Sequence, residues 1–166
     1  MAKALLTVLL KNQYGITDFT VDCDKNGKPF IVSSKIGFNL SHSGNYVLCA
    51  LGDKNVGCDI QLITPYNQRV VKRFFTKNEI DCLEICDDKD LVFTKLWTLK
   101  ESALKFSGEG MSGGLDRYDF SEYYNEDSFI LKGLCFKALE TTSHVVSICS
   151  EGESISQLYA DIKKDF

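Results

Sequence analysis

Three side chains of this 166-residue sequence have types and spacing that could bind a phosphorylated substrate: Asp59, Glu101 and Lys105. Two carboxylates are a common complement for Mg²⁺, which keeps several waters and takes other oxygens from substrate phosphates. Lys105 lies one helical turn after Glu101, so its ammonium could neutralise the same phosphates. Two plainer interpretations stay open. Glu101 and Lys105 could form an ordinary helix salt bridge, and Asp59 could cap a turn at the end of a strand.

A second group of polar residues, Ser41, His42 and Ser43, lies near the end of the segment Gly37–Gly44. Hydroxyls, an imidazole and backbone N–H groups at a strand end are the donors needed to hold a phosphate. Lys28 lies in an upstream turn and could add a positive charge. A serine-rich turn with a structural histidine would explain the first three residues equally well. Most lysines in loops are merely solvated, so Lys28 alone indicates little.

Glu101 and Lys105 belong to a predicted helix over Leu91–Phe106. An apolar stripe on one side of this helix is typical of a core-facing helix, and its members are Val92, Leu96, Leu99, Ala103 and Phe106. The other side carries further large apolar residues, which are Phe93, Trp97 and Leu104. We therefore expect the helix to be covered on two sides.

Asp59 is predicted to lie inside the strand Val56–Gln61, which follows another strand, Asn45–Leu51. The two-residue period places Asp59 on one face together with Gly57 and Gln61. Aspartate is disfavoured in strand interiors, so its position suggests a function. The absence of a side chain at Gly57 would leave room for a ligand to approach.

The remaining elements are predicted from hydrophobic periodicity and turn residues. They are a helix over 2–11 that ends at Tyr14-Gly15, a possible short strand at 18–24, a basic amphipathic helix over 66–75, strands at about 129–139 and 144–149, and an amphipathic tail. Thr76 and Glu79 have the spacing of a capping box at the start of a further helix.

The composition indicates a cytoplasmic globular protein with neither a nucleic-acid nor a membrane partner. The net charge of −4 argues against general nucleic-acid binding, which needs a dominant basic surface. No apolar stretch is long enough to span a bilayer, and the first residues lack the cleavage site of a secretory signal. The seven cysteines contain no C-x-x-C pair, and buried thiols in a reducing compartment are expected.

Several segments in a fixed order resemble the signature of the 4′-phosphopantetheinyl transferases of the surfactin-synthetase-activating type. That signature is a (V/I)-G-(V/I)-D strand followed by (F/W)-(S/C/T)-x-K-E-(A/S)-x-x-K. The matching segments are Val56-Gly-Cys-Asp-Ile60, Arg73-Phe-Phe-Thr-Lys-Asn-Glu79 and Leu96-Trp-Thr-Leu-Lys-Glu-Ser-Ala-Leu-Lys105. Gly27-Lys-Pro29 and Phe38-Asn-Leu-Ser-His-Ser43 resemble the family's upstream motifs.

The resemblance implies Mg²⁺-dependent transfer of the 4′-phosphopantetheine arm from coenzyme A to a serine of an acyl or peptidyl carrier protein. Adenosine 3′,5′-bisphosphate would be released. The implied magnesium ligands are Asp59, Glu101 and, more weakly, Gln61. Asp59, Glu101 and Lys105 would be the catalytic residues, with Glu101 as the base and Lys105 stabilising phosphate charge. The residues implied to bind coenzyme A are Lys28, Ser41, His42, Lys100 and Lys105.

The family fold is α+β and consists of two similar halves related by a pseudo-twofold, each a small sheet packed with helices. The resemblance implies a shortened N-terminal half at residues 1–53 and a C-terminal half at 54–166, with the active site at their junction. A monomer and a homodimer both fit. Carrier proteins of this kind are acidic, so the basic residues Arg69, Lys72 and Arg73 form a candidate docking surface.

Two departures from the family pattern keep other functions open. Gln61 stands where the family often has a third acidic ligand, and the N-terminal half is short. One alternative is a non-catalytic relative that binds coenzyme A or a carrier protein. Another is a magnesium-dependent phosphohydrolase built on the same carboxylates.

Overall fold

A computed structural model describes residues 2–110 and 114–151, which form four α-helices and eight strands within those ranges. The helices are α1 (Ala2–Tyr14), α2 (Gln68–Phe74), α3 (Lys77–Ile85) and α4 (Lys89–Ser107). The strands are β1 (Val21–Cys23), β2 (Pro29–Ile31), β3 (Gly37–Ser43), β4 (Tyr46–Gly52), β5 (Val56–Leu62), β6 (Ser128–Leu131), β7 (Leu134–Glu140) and β8 (His144–Glu151). The predicted α+β class is confirmed.

Every strand pairing in the described ranges is antiparallel. β1 pairs with β2, β3 pairs with β4, and a four-stranded sheet has the order β5-β8-β7-β6. Helix α1 packs its apolar side on the β3–β4 pair, where Leu6, Leu10, Phe38 and Cys49 are buried. This first part of the chain therefore has its own small apolar cluster.

Helix α4 packs on β5 and β8 of the four-stranded sheet. Leu96 and Leu99 of its predicted stripe are completely buried, and Phe93 and Leu104 on the other side are buried as well. The prediction that this helix is covered on two sides is thus confirmed. The Asp88 side chain caps its start, and Gly108, with φ 72°, ends it in the left-handed conformation that glycine adopts easily.

Three side chains of β3 hydrogen-bond the outer edge of β5. An edge strand has backbone N–H groups that need hydrogen-bond partners. The N–H groups at the edge of β5 donate to side-chain oxygens of β3 and not to the backbone of a neighbouring strand. The bonds run from Cys58 N to Asn39 Oδ1 (3.0 Å), from Ile60 N to Ser41 Oγ (3.3 Å) and from Leu62 N to Ser43 Oγ (2.8 Å). The alternating polar residues of β3 therefore fix it beside β5.

Some element boundaries differ from the sequence-based prediction. The single strand expected at 129–139 is a hairpin of β6 and β7, because Lys132 and Gly133 have φ values of 51° and 77° and form a tight turn between them. Helix α2 begins after Asn67, whose side chain accepts hydrogen bonds from two backbone N–H groups. The predicted amphipathic tail lies outside the described residues.

Among the described residues, no helix is long and apolar enough to cross a bilayer. The pseudo-twofold and the division between residues 53 and 54 stay predictions.

Candidate active site

The contact between α4 and β5 depends on Gly57. A Cβ atom at this position would lie 2.2 Å from both Phe106 N and Ser102 O of α4. The expectation that Gly57 leaves room for a ligand is therefore wrong, because the helix backbone fills that space. The same close approach brings the side chains of α4 to Asp59, which lies on the face of β5 that carries Gly57.

Asp59, Ser41 and Lys105 form a closed set of hydrogen bonds. Asp59 Oδ1 accepts from Lys105 Nζ at 2.6 Å and from Ser41 Oγ at 2.7 Å, while Lys105 Nζ also donates to Ser41 Oγ at 2.9 Å. The Asp59 side chain is only 7% exposed, and that of Lys105 is 28% exposed. Among the described residues the ion-pair partner of Lys105 is thus Asp59 rather than Glu101. Asp59 is a mid-strand residue and does not cap a strand end.

Glu101 lies beside this set with its carboxylate free of protein hydrogen bonds and ion pairs, as far as the described residues go. Burial raises the pKa of Glu101, and repulsion from Asp59 raises it further, while Lys105 opposes the shift. A raised pKa makes a carboxylate a stronger base. Glu101 is therefore the member of the site that is best prepared to accept a proton.

A cavity of about 300 Å³ lies where Glu101 and Lys105 meet the turn before β2 and the strand β3. Its wall includes Gly27, Lys28 and Leu40, and it continues to Gly108 and Gly110 beyond the end of α4. This volume is at the lower end of the range of small-molecule sites. A second cavity of about 250 Å³ lies on another side of Lys28, between Phe30, Phe38 and Asn55.

Lys28 links the two cavities to the end of α4. Its Nζ donates to Phe106 O at 2.6 Å and to Asn55 Oδ1 at 2.5 Å. Burial lowers the pKa of Lys28, and the Asp24 carboxylate opposes that shift. A cation at the carboxyl end of a helix also interacts favourably with the helix dipole.

The structure brings together some of the predicted site residues and separates others. His42 is exposed on β3, on the opposite face of the strand from Ser41 because neighbouring strand residues alternate. Gln61 follows Asp59 by two residues on β5 and is partly exposed. Lys100 is not at the cavity, since its ammonium is completely buried against Glu79 at 2.8 Å.

Two residues near the site were not singled out by the sequence analysis. Asn39 lines the main cavity and also bonds Cys58 N, and Asn55 binds the Lys28 ammonium. A signal existed for Asn39, since it continues the alternation of polar residues that includes Ser41 and Ser43. Asn55 lies in a turn that gave no comparable pattern.

The donors of the site suit a hard divalent cation. Carboxylate oxygens are the ligands that Mg²⁺ prefers, and it takes the rest from water and phosphate. Within residues 2–110 and 114–151, no three or more His, Cys, Asp and Glu side chains are arranged so that they could together hold a metal ion. Asp59 and Glu101 are the two carboxylates of this site that could provide ligands for such an ion.

The family model of the 4′-phosphopantetheinyl transferase superfamily matches residues 55–149, which is more than half of the chain. The chain belongs to this superfamily. The matched region contains Asp59, Glu101 and Lys105. The family assignment made from the sequence motifs is confirmed.

Several curated proteins of the superfamily are similar to the chain. The 4′-phosphopantetheinyl transferase Sfp of Bacillus subtilis is 35% identical over 71% of this chain and 55% of its own length. The 4′-phosphopantetheinyl transferase gsp of Aneurinibacillus migulanus is 41% identical over 51% of this chain and 36% of its own length. The 4′-phosphopantetheinyl transferase HetI of Nostoc is 32% identical over 66% of this chain and 51% of its own length. The chain spans about half the length of the curated relatives it matches.

Proposed function

We propose that this protein transfers the 4′-phosphopantetheine arm of coenzyme A to a serine of an acyl or peptidyl carrier protein. Membership of the superfamily supports this class of reaction. The observation that carries the proposal is the packing of α4 on β5, which pairs Lys105 with Asp59 and places Lys105 and Glu101 in the wall of one cavity.

In the proposed reaction the serine hydroxyl attacks the phosphorus that bears the pantetheine arm. A bond forms from the serine oxygen to that phosphorus, and the bond from phosphorus to the bridging pyrophosphate oxygen breaks. The serine proton passes to Glu101, a carboxylate in the cavity wall. Adenosine 3′,5′-bisphosphate leaves with the bridging oxygen, and the Lys105 ammonium stabilises the charge that develops there.

A magnesium ion would be held by Asp59 and Glu101, with Gln61 as a weaker third ligand through its amide oxygen. When bound, the ion supplies positive charge that offsets the crowded pyrophosphate. The carboxylate pair and its phosphate-binding neighbour Lys105 fit such an ion by their chemistry.

For coenzyme A we propose the main cavity, with Lys28 and Lys105 in its wall. Both lysines are engaged by protein oxygens, so phosphate binding would compete with those bonds. Ser41 and His42 stay proposed contacts from the resemblance. Ser41 also orients Asp59 and Lys105, and His42 lies at the surface of β3.

For the partner we propose an acidic carrier protein that docks on α2. Arg69, Lys72 and Arg73 are exposed on that short helix. We further propose that the reaction takes place in the cytoplasm, which is supported by the seven free thiols of the chain.

The test is intact-protein mass spectrometry of a panel of apo-carrier proteins incubated with this protein, coenzyme A and Mg²⁺. We expect one carrier or more to gain a single phosphopantetheine arm and a chelator to prevent the gain. Asp59→Ala and Glu101→Ala should abolish the gain while circular dichroism shows a folded protein. Lys95→Met is the matched control and should transfer normally, because Lys95 of α4 pairs with Glu140 and does not line the cavity. A chelator-resistant gain, or a full rate in either alanine variant, would refute the assignment.

A second candidate is a relative that binds coenzyme A or a carrier protein without transfer. Gln61 favours it, because an amide brings no charge to a metal site where the family often has an acid. Retained coenzyme A binding with no gain on any carrier would support this candidate. Restoration of transfer by Gln61→Glu would then identify the missing charge as the cause.

A further inference from the structure

Glu79 and Lys100 form an ion pair in the protein interior. Lys100 Nζ lies 2.8 Å from Glu79 Oε2, and both side chains are completely buried. Burial lowers the pKa of Lys100, and the nearby Glu79 carboxylate opposes that shift. Removing two charges from water is costly unless all of their donors and acceptors find partners. The other partners of this pair therefore indicate its role.

Apart from Thr76 N, which bonds Glu79 at the start of α3, those partners are backbone groups of one segment, Leu115–Phe120, which we call the anchored segment. The bonds run from Lys100 Nζ to Leu115 O (2.7 Å), from Lys100 Nζ to Tyr118 O (3.0 Å) and from Phe120 N to Glu79 Oε1 (3.0 Å). An ammonium has three protons, and all three of Lys100 are thereby used within the protein. Lys100 has no proton left to offer a ligand in this arrangement.

The anchored segment is also bound to the start of α3. Asp119 Oδ2 accepts from Thr76 Oγ1 at 3.0 Å and from Asn78 Nδ2 at 2.9 Å. Glu79 Oε2 accepts from Thr76 N at 2.8 Å, which completes the predicted capping box. The ion pair thus joins α3, α4 and the anchored segment.

This junction is next to the candidate active site along the chain. Lys100 immediately precedes Glu101, and neighbouring helix residues point about 100° apart. With Lys100 fixed in the interior, Glu101 is directed to the cavity. Gly108 and Gly110, which line the cavity, precede the anchored segment along the chain. The ion pair and its hydrogen bonds therefore join α4 to the anchored segment at the position next to Glu101.

We propose that Glu79 and Lys100 are positioning residues, which hold α4 on the anchored segment so that the Glu101 carboxylate faces the cavity. Neither residue contacts coenzyme A. This inference rests on the proposed function, and it replaces the coenzyme A contact that the resemblance implied for Lys100.

The test compares three variants with the wild-type protein: Lys100→Met, Glu79→Gln and the double variant Glu79→Leu/Lys100→Met. Each is measured for carrier transfer, for coenzyme A affinity by calorimetry, and for thermal unfolding. We expect both single variants to lower kcat about tenfold or more while the Kd of coenzyme A changes less than about twofold. The two losses should not add in the double variant, because they break one interaction.

The double variant separates positioning from stability. Apolar replacement of a whole buried ion pair often preserves folding, whereas removal of one partner leaves an unpaired charge. We expect the double variant to be folded at the assay temperature, although it unfolds at a lower temperature than the wild type because the backbone partners of the pair lose their bonds. Its kcat should be about tenfold lower. Lys95→Met is the matched control, since it removes another ion pair of α4, with Glu140 at 2.9 Å, away from the cavity. It should leave kcat unchanged.

Two results would overturn the proposal. One is a folded double variant with wild-type kcat, which would leave the pair with a role in stability alone. The other is an increase of about tenfold in the coenzyme A Kd for Lys100→Met but not for Glu79→Gln, which would make Lys100 a direct ligand.

A binding measurement that does not depend on catalytic turnover distinguishes failure of this proposal from failure of the proposed function. Mn²⁺ affinity in the presence of coenzyme A, measured by electron paramagnetic resonance, reports whether Glu101 is correctly directed. If the wild-type protein transfers nothing, the proposed function fails. In that case a lower Mn²⁺ affinity in all three variants still supports positioning, and an unchanged affinity overturns it.

Discussion

At the scale of single residues, the carboxylates of Asp59 and Glu101 lie close enough to repel each other, and the nearby lysine forms an ion pair with only one of them. Lys105 is bound to Asp59, so Glu101 bears the effects of burial and repulsion, and its pKa rises. A charged Glu101 is therefore unfavourable for the folded protein in the absence of substrate. Conflict between stability and activity is common at catalytic residues.

Glu101→Gln should stabilise the metal-free protein at neutral pH. The folded-state pKa of Glu101 is raised above its ordinary value of 4.5, so the wild-type protein loses stability as the pH rises from that value through the raised pKa. The glutamine variant lacks this loss. The free energy of unfolding, measured in urea with a chelator, should therefore be higher for the variant than for the wild type. This difference should grow as the pH rises across that window. Glu122→Gln at an exposed position is the control, and equal pH dependence in wild type and Glu101→Gln would contradict the prediction.

Ser41→Ala should weaken both the fold and the site. The hydroxyl accepts from Ile60 N and Lys105 and donates to Asp59, so its removal leaves a buried N–H without a partner. The expected cost is about 1–3 kcal/mol of unfolding free energy, measured in urea, together with slower transfer because Asp59 and Lys105 lose their common partner. Ser41→Thr keeps a hydroxyl and should retain more of both properties. Unchanged stability in the alanine variant would show that the Ile60 N–H of β5 does not need the hydroxyl as a hydrogen-bond partner.

At the scale of elements, the closeness of α4 to β5 decides where the reactive side chains lie. Gly57→Ala would place a methyl group 2.2 Å from two backbone atoms of α4, and backbone cannot give way as a flexible side chain does. We expect a loss of about 3 kcal/mol in unfolding free energy and a large loss of transfer. Gly52→Ala is a milder comparison, because its new methyl group would meet Lys54 O at 3.3 Å. Similar stability of the two variants would contradict the prediction.

The elements themselves were largely predictable from the sequence, and their packing was not. The period of α4 and the alternation of β5 are local patterns, so both elements were predicted with nearly correct bounds. Gly57 was misinterpreted because a missing side chain accommodates a ligand and a helix backbone equally well. The ladder from β3 to β5 joins residues 19 positions apart in the sequence. Local periodicity carries no information about such pairs.

The same limit applies to the site. Asp59, Glu101 and Lys105 were found because their motifs are specific, and the structure places them together. The burial of Lys100 could not be anticipated from its motif, because one residue along a helix changes the facing direction by about 100°. Its partner Glu79 was predicted as a capping residue, and the ion pair was not predicted. The capping box is present, and the ion pair uses the same carboxylate.

At the scale of the whole molecule, a chain of net charge −4 presents a basic helix to a proposed acidic partner. Arg69 and Lys72 are exposed on α2, where each could form surface ion pairs worth about 0.2–1 kcal/mol. Such charges affect encounter and orientation more than the chemical step. The docking proposal therefore concerns the affinity for the carrier protein and leaves the affinity for coenzyme A untouched.

Arg69→Glu/Lys72→Glu should raise the KM for an acidic carrier about tenfold, which corresponds to roughly 1.4 kcal/mol, because two attractions become repulsions. The effect should shrink as salt is added, since exposed charges are screened over about 10 Å at 0.1 M ionic strength. The affinity for coenzyme A should not change. Lys3→Glu/Lys11→Glu on α1 makes the same change in net charge at exposed positions and serves as the control. Equal increases of KM in both double variants would show that net charge, rather than α2, governs the encounter with the carrier.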